Sequence, residues 1–151
     1  MQRLPVPNAF DGAPVYFLQE TDSTMDDARE LLRTAAASGA VVVADHQRRG
    51  RGRFPHRAWT ASPGESLLFT VALAENRVPP PSTRLPLVAG LAVARSLEAL
   101  YDVPLRLKWP NDVLLDGGKV AGVLCQAIGG WYLVGIGVNC NQRRFPADLE
   151  G

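Results

Sequence analysis

The chain has 151 residues, 46% of them hydrophobic, with 16 Lys and Arg against 15 Asp and Glu for a formal net charge of +1. That length and apolar content suit one globular domain with a buried core and exclude a disordered or low-complexity chain. The balanced charge argues against a surface that coats nucleic acid, and no apolar run follows a basic N-terminus as a leader would or approaches the roughly 20 residues of a membrane span.

Met1 to Pro14, rich in Pro, Gly and Asn, reads as a lead-in arm, and Val15 to Leu18 as a first strand. Ser23 or Thr24 is placed to cap a helix. Asp26 and Asp27 suit the positive end of its dipole, and Ala28, Leu31, Leu32 and Ala35 recur at helical spacing until Gly39. The β-branched run Ala40 to Ala44 predicts a buried strand that delivers the chain into a basic loop, and Ser66 to Ala74 predicts another strand. Pro79-Pro80-Pro81 marks a connection, after which Leu87, Leu91, Ala94, Leu97 and Leu100 describe the apolar stripe of a second helix, Leu87 to Tyr101. Strand patterns follow at Leu105 to Trp109, Val113 to Leu115, Val120 to Ile128 and Trp131 to Val138, with turns at Asp116-Gly117-Gly118 and Gly129-Gly130. Hairpins mixed with helical connections predict an α+β architecture, a mixed sheet with helices packed on it. Cys125 and Cys140 lie far apart in apolar runs, without metal-site spacing, and read as reduced, buried thiols of a cytoplasmic protein.

Four segments carry candidate chemistry. In the loop Gln47 to Arg53, Gly50 and Gly52 free the backbone while Arg51 and Arg53 supply forked donors suited to carboxylate and phosphate. Such a loop could hold an anionic mixed anhydride, although its spacing alone equally allows a solvated turn, and it lacks the Walker pattern. Lys108-Trp109-Pro110-Asn111-Asp112 sets a cation, an aromatic plane, an amide and a carboxylate side by side. Asp112 is there a candidate for the metal that accompanies a nucleotide; Trp109 packs on a ligand ring or, as its residue type favours, fills the core. Lys119, just past a turn, is either a solvated edge residue or a cation that stabilises charge in acyl transfer. Gly135 and Gly137 in an apolar strand indicate a bulge or a close approach. His46 and His56 are isolated, and no triad or zinc signature is present.

In order and spacing these segments resemble the catalytic domain of biotin–protein ligases. Asp22-Ser23-Thr24-Met25 matches the family's start-of-helix motif and Gln47 to Arg53 its Gly-Arg-Gly-Arg adenylate loop, followed by Trp59 and Ser62-Pro63-Gly64. Lys108 to Asp112 matches Lys-Trp-Pro-Asn-Asp, Lys119 to Leu124 the lysine-bearing strand, and Gly135 to Asn139 the Gly-Ile-Gly-x-Asn strand. Met25 stands where many members carry Asn, Gln126 where an acidic residue is frequent, and Phe54 to Ala58 make the gap before Trp59 one residue longer.

The resemblance implies a mixed, largely antiparallel sheet and a two-step reaction. Biotin and ATP, with Mg2+, give biotinyl-5′-AMP, and the acyl group then passes to a lysine of a biotin carboxyl carrier domain. Ser23, Thr24, Gln47 and Lys119 would contact biotin, and Arg51, Gly52 and Arg53 would fold over the adenylate. Lys119, Arg51 and Asp112 would carry the chemistry, with Asp112 assisting the metal. Met25, Gly50, Trp59, Lys108, Asn111, Gly122, Gly135, Gly137 and Asn139 would complete the ligand site. Residues 1–20 would be an arm and first strand and 21–151 a catalytic domain that stops before the family's later helices and C-terminal barrel, with no helix-turn-helix ahead of it. A homodimer is left open. A lipoate or octanoate ligase or transferase of the same fold, and a biotin-binding but inactive fragment, are the alternatives.

Overall fold

The computed structural model describes residues 1–34, 37–54 and 56–143. Its strands are β1 (Gln2–Leu4), β2 (Val15–Thr21), β3 (Ala40–Gln47), β4 (Ser66–Ala74), β5 (Leu105–Lys108), β6 (Asp112–Leu115), β7 (Gly118–Ile128) and β8 (Trp131–Asn139). They form one sheet in the order β1-β2-β3-β4-β8-β7-β6-β5. Among the described residues, only β2 and β3 pair in parallel. A parallel pair needs a long crossover, and α1 (Thr24–Thr34) supplies it. The sheet is thus mixed and largely antiparallel, as the resemblance implied.

Side chains alternate across each strand, so the two helices take opposite faces. On one face α1 lays Met25, Ala28 and Leu31 against Ala40, Val42, Ala72 and Leu133. On the other, α2 (Leu85–Tyr101) packs Ala94, with half-buried Val93 and Leu97, against Val113, Ala121 and Val138. At the β6–β7 turn Asp116 and Gly117 both have positive φ, 49° and 88°. This is the backbone that a tight two-residue hairpin requires, and it explains why Asp-Gly announced it.

Several expectations are corrected. The reading of Met1 to Pro14 as an arm missed β1, which pairs antiparallel with β2 through Gln2 and Phe17. Three residues give too short a pattern to read. β3 continues three residues past Ala44 to Gln47, because its partner β2 carries the ladder on to Thr21. The stripe assigned to α2 holds only in part: Ala94 is buried and Leu97 packs on the core as expected, whereas Leu87, Leu91 and Leu100 are exposed and Gly90 is buried instead. The helix is apolar on most of its circumference, so periodicity could not select the face that meets the sheet. Cys140 is exposed just beyond β8 and Cys125 only partly buried, both as free thiols. The expected helical position Ala35 and residues 144–151 of the expected domain lie outside the described residues.

Candidate active site

The N-terminus of α1, the end of β3, the middle of β7 and β8 and the basic loop converge on one cavity, which encloses about 500 Å³ with its open mouth. The register builds its floor. Gly122 on β7 pairs directly with Gly137 on β8, and Gly135 lies one step along the same face. A Cβ on Gly137 would meet the Trp59 indole at 2.7 to 2.9 Å, one on Gly122 would meet Lys119 at 2.9 Å and Trp59 at 3.1 Å, and one on Gly135 would meet Met25 at 3.1 Å. The expected close approach in this strand is therefore made by Trp59 and Met25, with ring and thioether lying on bare backbone.

Trp59 is brought there by the loop itself. Gly52 N–H donates to the Arg57 carbonyl at 2.9 Å and Trp59 N–H to the Gly50 carbonyl at 3.2 Å, folding residues 50–52 back on residues 57–59. A Cβ on Gly50 would run into the Trp59 carbonyl oxygen and one on Gly52 would come within 2.7 Å of the Arg57 carbonyl oxygen, so both glycines are required by close backbone approach. The loop is also tied at its start. Arg48 N–H and Arg49 N–H donate to the Thr21 and Asp22 carbonyls at 2.8 and 2.9 Å. The Arg48 guanidinium donates to Asp22 at 2.8 Å and to Glu20 at 3.2 Å. The bond to Asp22, helped by both carboxylate charges, holds that guanidinium above its ordinary range.

Polar groups in the cavity are oriented by a second set of contacts. The Gln47 amide oxygen accepts from Thr24 N–H at 2.8 Å and from the Thr24 hydroxyl at 2.9 Å. Since that hydroxyl gives its proton to Gln47, the fully buried Thr70 hydroxyl, 2.9 Å away, donates to Thr24. Gln47 thereby satisfies an orphan amide at the start of α1 while lining the cavity. Ser23 caps the helix through its carbonyl, which accepts from Asp26 and Asp27 N–H at 2.9 and 3.2 Å.

The cations are held by carboxylates. Lys119 Nζ lies 2.8 Å from Asp112 Oδ1 as an ion pair and 5.5 Å from the centre of the Trp59 ring. The pair falls outside hydrogen-bond angles, which leaves that buried oxygen without an aligned donor among the described residues. Arg51 Nη2 donates to both oxygens of Asp26, at 2.8 and 2.6 Å. Arg53 stacks between Phe54 and Trp109, 5.5 and 5.8 Å from their centres.

Of the residues singled out in the sequence, the cavity wall contains Ser23, Thr24, Met25, Gln47, Arg51, Gly52, Arg53, Trp59, Asn111, Lys119, Gly122, Gly135 and Gly137. Gly50, Lys108, Asp112 and Asn139 stand outside it. Asp112 reaches the site through Lys119, and Gly50 through Trp59. Asn139 ties β8 to the start of β7 by donating to the Lys119 carbonyl at 3.0 Å, and Lys108 is exposed at the end of β5. Trp109 is 77% exposed, which overturns the core reading: Asn111, not Trp109, anchors this segment, bonding Val123 through both its carbonyl and its amide at 2.9 and 2.8 Å. Sequence reasoning missed Leu68, Val123, Leu124 and Ile136 in the wall, and Thr70 and Asp26 behind it. Only the alternation in β4 could have pointed to Leu68 and Thr70.

Residues 17–142 match the biotin/lipoate A/B protein ligase family. The chain is 40% identical over 138 residues to the biotin–[acetyl-CoA-carboxylase] ligase of Mycobacterium tuberculosis, covering 87% of this chain and 51% of the relative. It superposes on the Aquifex aeolicus biotin protein ligase in complex with biotin and ATP with a TM-score of 0.79 at 38% identity, covering 90% of this chain and 56% of that one. The Leishmania major biotin protein ligase in complex with biotinyl-5-AMP gives 0.80 at 31% identity, over 89% of this chain and 60% of that one. The chain spans about half the length of the curated relatives it matches. With the cavity, the glycine floor and the family match in agreement, the chain belongs to the biotin/lipoate A/B protein ligase family.

Proposed function

We propose that this cavity binds biotin and, with ATP, forms biotinyl-5′-AMP, whose acyl group passes to a lysine of a biotin carboxyl carrier domain. The observation that carries the reading is the convergence of two tethered cations, Lys119 and Arg51, and an oriented amide, Gln47, over one floor of bare backbone. A flat, apolar and partly polar bicyclic acid fits such a floor, with its ureido group near Ser23, Thr24 and Gln47 and its carboxylate near Lys119.

In the first step the carboxylate oxygen attacks the α-phosphorus of ATP and pyrophosphate departs. Two anions meet at one centre, and fixed cations stabilise the developing charge without reorganising. Asp112 fixes Lys119 for that task. In the second step the neutral amine of the acceptor lysine attacks the acyl carbon and AMP departs. Between the two, the loop shields the anhydride from water, with Arg51 and Arg53 on its inner side. Lys119 takes Asp112 Oδ1, so only the other oxygen of that carboxylate would be left to hold a hydrated Mg2+ beside the substrate phosphates. When bound, the ion neutralises phosphate charge and favours pyrophosphate as leaving group.

The family takes in both biotin and lipoate ligases, so the deciding experiment is calorimetric titration of biotin against lipoate. Biotin should bind at micromolar concentrations and lipoate should not; the reverse order would overturn the reading in favour of a lipoate ligase or transferase. No helix among the described residues is long and apolar enough to cross a membrane.

A further inference from the structure

Asp26 has no part in the motifs that identify the family site, yet it holds the cation at the cavity's mouth. It sits in the first turn of α1, directly after Ser23, Thr24 and Met25, all three of which line the cavity. Both of its oxygens accept from one nitrogen of Arg51, Nη2, at 2.8 and 2.6 Å. Arg51 Nε and Nη1 make no hydrogen bond among the described residues, so a guanidinium with five N–H groups keeps most of them for a ligand. Asp26 itself is braced: Arg29 lies 3.9 Å away, and Arg29 in turn donates to Gln126 on β7 at 2.9 Å. Helix, loop and sheet floor are thereby joined through one carboxylate.

We propose that Asp26 is the positioning residue of the basic loop: it holds the loop against α1 and aims the free edge of Arg51 into the cavity, where it meets an anionic ligand. The contact engages Nη2 alone, so the N–H groups of Nε and Nη1 stay available to a ligand. A phosphate or acyl phosphate is the chemistry those donors fit, because its several anionic oxygens accept charge-assisted bonds from separate N–H groups. That ligand half of the inference rests on the function proposed above; the tethering half does not.

The test is a double-mutant cycle with two readouts on the whole chain. Hydrogen–deuterium exchange of the amides in residues 50–53 reads the tether without any ligand. Asp26→Asn should raise their exchange about tenfold in the wild-type background and leave it unchanged when Arg51 is already Ala, because interacting sites are not additive. Asp26→Glu, which keeps the carboxylate, should restore most of the protection. Release of added biotinyl-AMP reads the consequence: Asp26→Asn should speed it about tenfold, and again not in the Arg51→Ala background. A loss of helix stability alone would act equally in both backgrounds. Equal exchange in wild type and Asp26→Asn, or additive effects in the double variant, would overturn the tether. A wild-type chain that fails to bind biotinyl-AMP while the exchange cycle still closes on Arg51 would overturn the function and leave the tether standing.

Discussion

The glycine floor can be tested by filling it. At Gly137 a Cβ would lie 2.7, 2.8 and 2.9 Å from Cε2, Cδ2 and Cζ2 of the Trp59 indole. Carbon pairs settle at about 3.5 to 4.0 Å, so Gly137→Ala forces the ring back by about 1 Å. Overpacking of this kind costs about 1 to 3 kcal/mol. The backbone itself has no objection, since an alanine in a strand interior is better than glycine by about 0.5 to 1 kcal/mol. The two effects separate in a second background. With Trp59→Ala already in place, Gly137→Ala should stabilise by about 0.5 to 1 kcal/mol, against a net cost of up to about 2 kcal/mol when the indole is present. Urea unfolding followed by far-ultraviolet circular dichroism of the four proteins gives the coupling directly. Equal effects of Gly137→Ala in both backgrounds would refute the placement of the ring on the sheet. Biotin affinity should fall in Gly137→Ala as well, since the ring and the floor border the same cavity.

Lys119→Ala should lower biotinyl-AMP formation by about 10² to 10³, the usual loss for one preorganised charge-stabilising group, as read by pyrophosphate release. Arg51→Ala should form the adenylate but release it to water, which rapid filtration after a single turnover would detect. Thr70→Val should cost about 1 kcal/mol in urea unfolding, because Thr24 Oγ1 loses its donor inside the core. The two thiols should separate by alkylation and mass spectrometry near pH 8: Cys140 is exposed and should react first, whereas burial pushes the Cys125 thiol up to about 12. With the folded value raised above the ordinary 9.0, the unfolded chain loses this proton first, so Cys125 should make stability fall as pH rises from about 9 to 12. Replacing Cys125 by Ala should remove that part of the alkaline decline.

The strands of the antiparallel half were legible because their apolar runs end in glycine turns. The turn expected at Asp116-Gly117-Gly118 is the β6–β7 hairpin, with Gly118 already paired to Leu115. The face of α2 was legible only at Ala94 and Leu97, since a helix apolar nearly all round carries little phase. Lys119 and the arginine loop stood out as charge in the wrong place, a cation opening an apolar strand and four arginines among glycines. What spacing alone could not supply was their convergence, which depends on the Gly122 and Gly137 pairing between strands. Trp109 was misjudged because residue type favours burial, while its segment is pinned by the Asn111 side chain, a contact across 12 residues that no local pattern encodes. Asp26 looked like an ordinary helix-dipole residue, and its bond to Arg51 spans 25 residues.

The most direct measurement is incubation of the chain with biotin, ATP and Mg2+, followed by mass spectrometry of the small molecule that stays bound. Biotinyl-5′-AMP retained in near-stoichiometric amount, with pyrophosphate released, is the expected result. No adenylate from biotin, with lipoyl-AMP formed instead when lipoate is supplied, would contradict the assignment of this cavity.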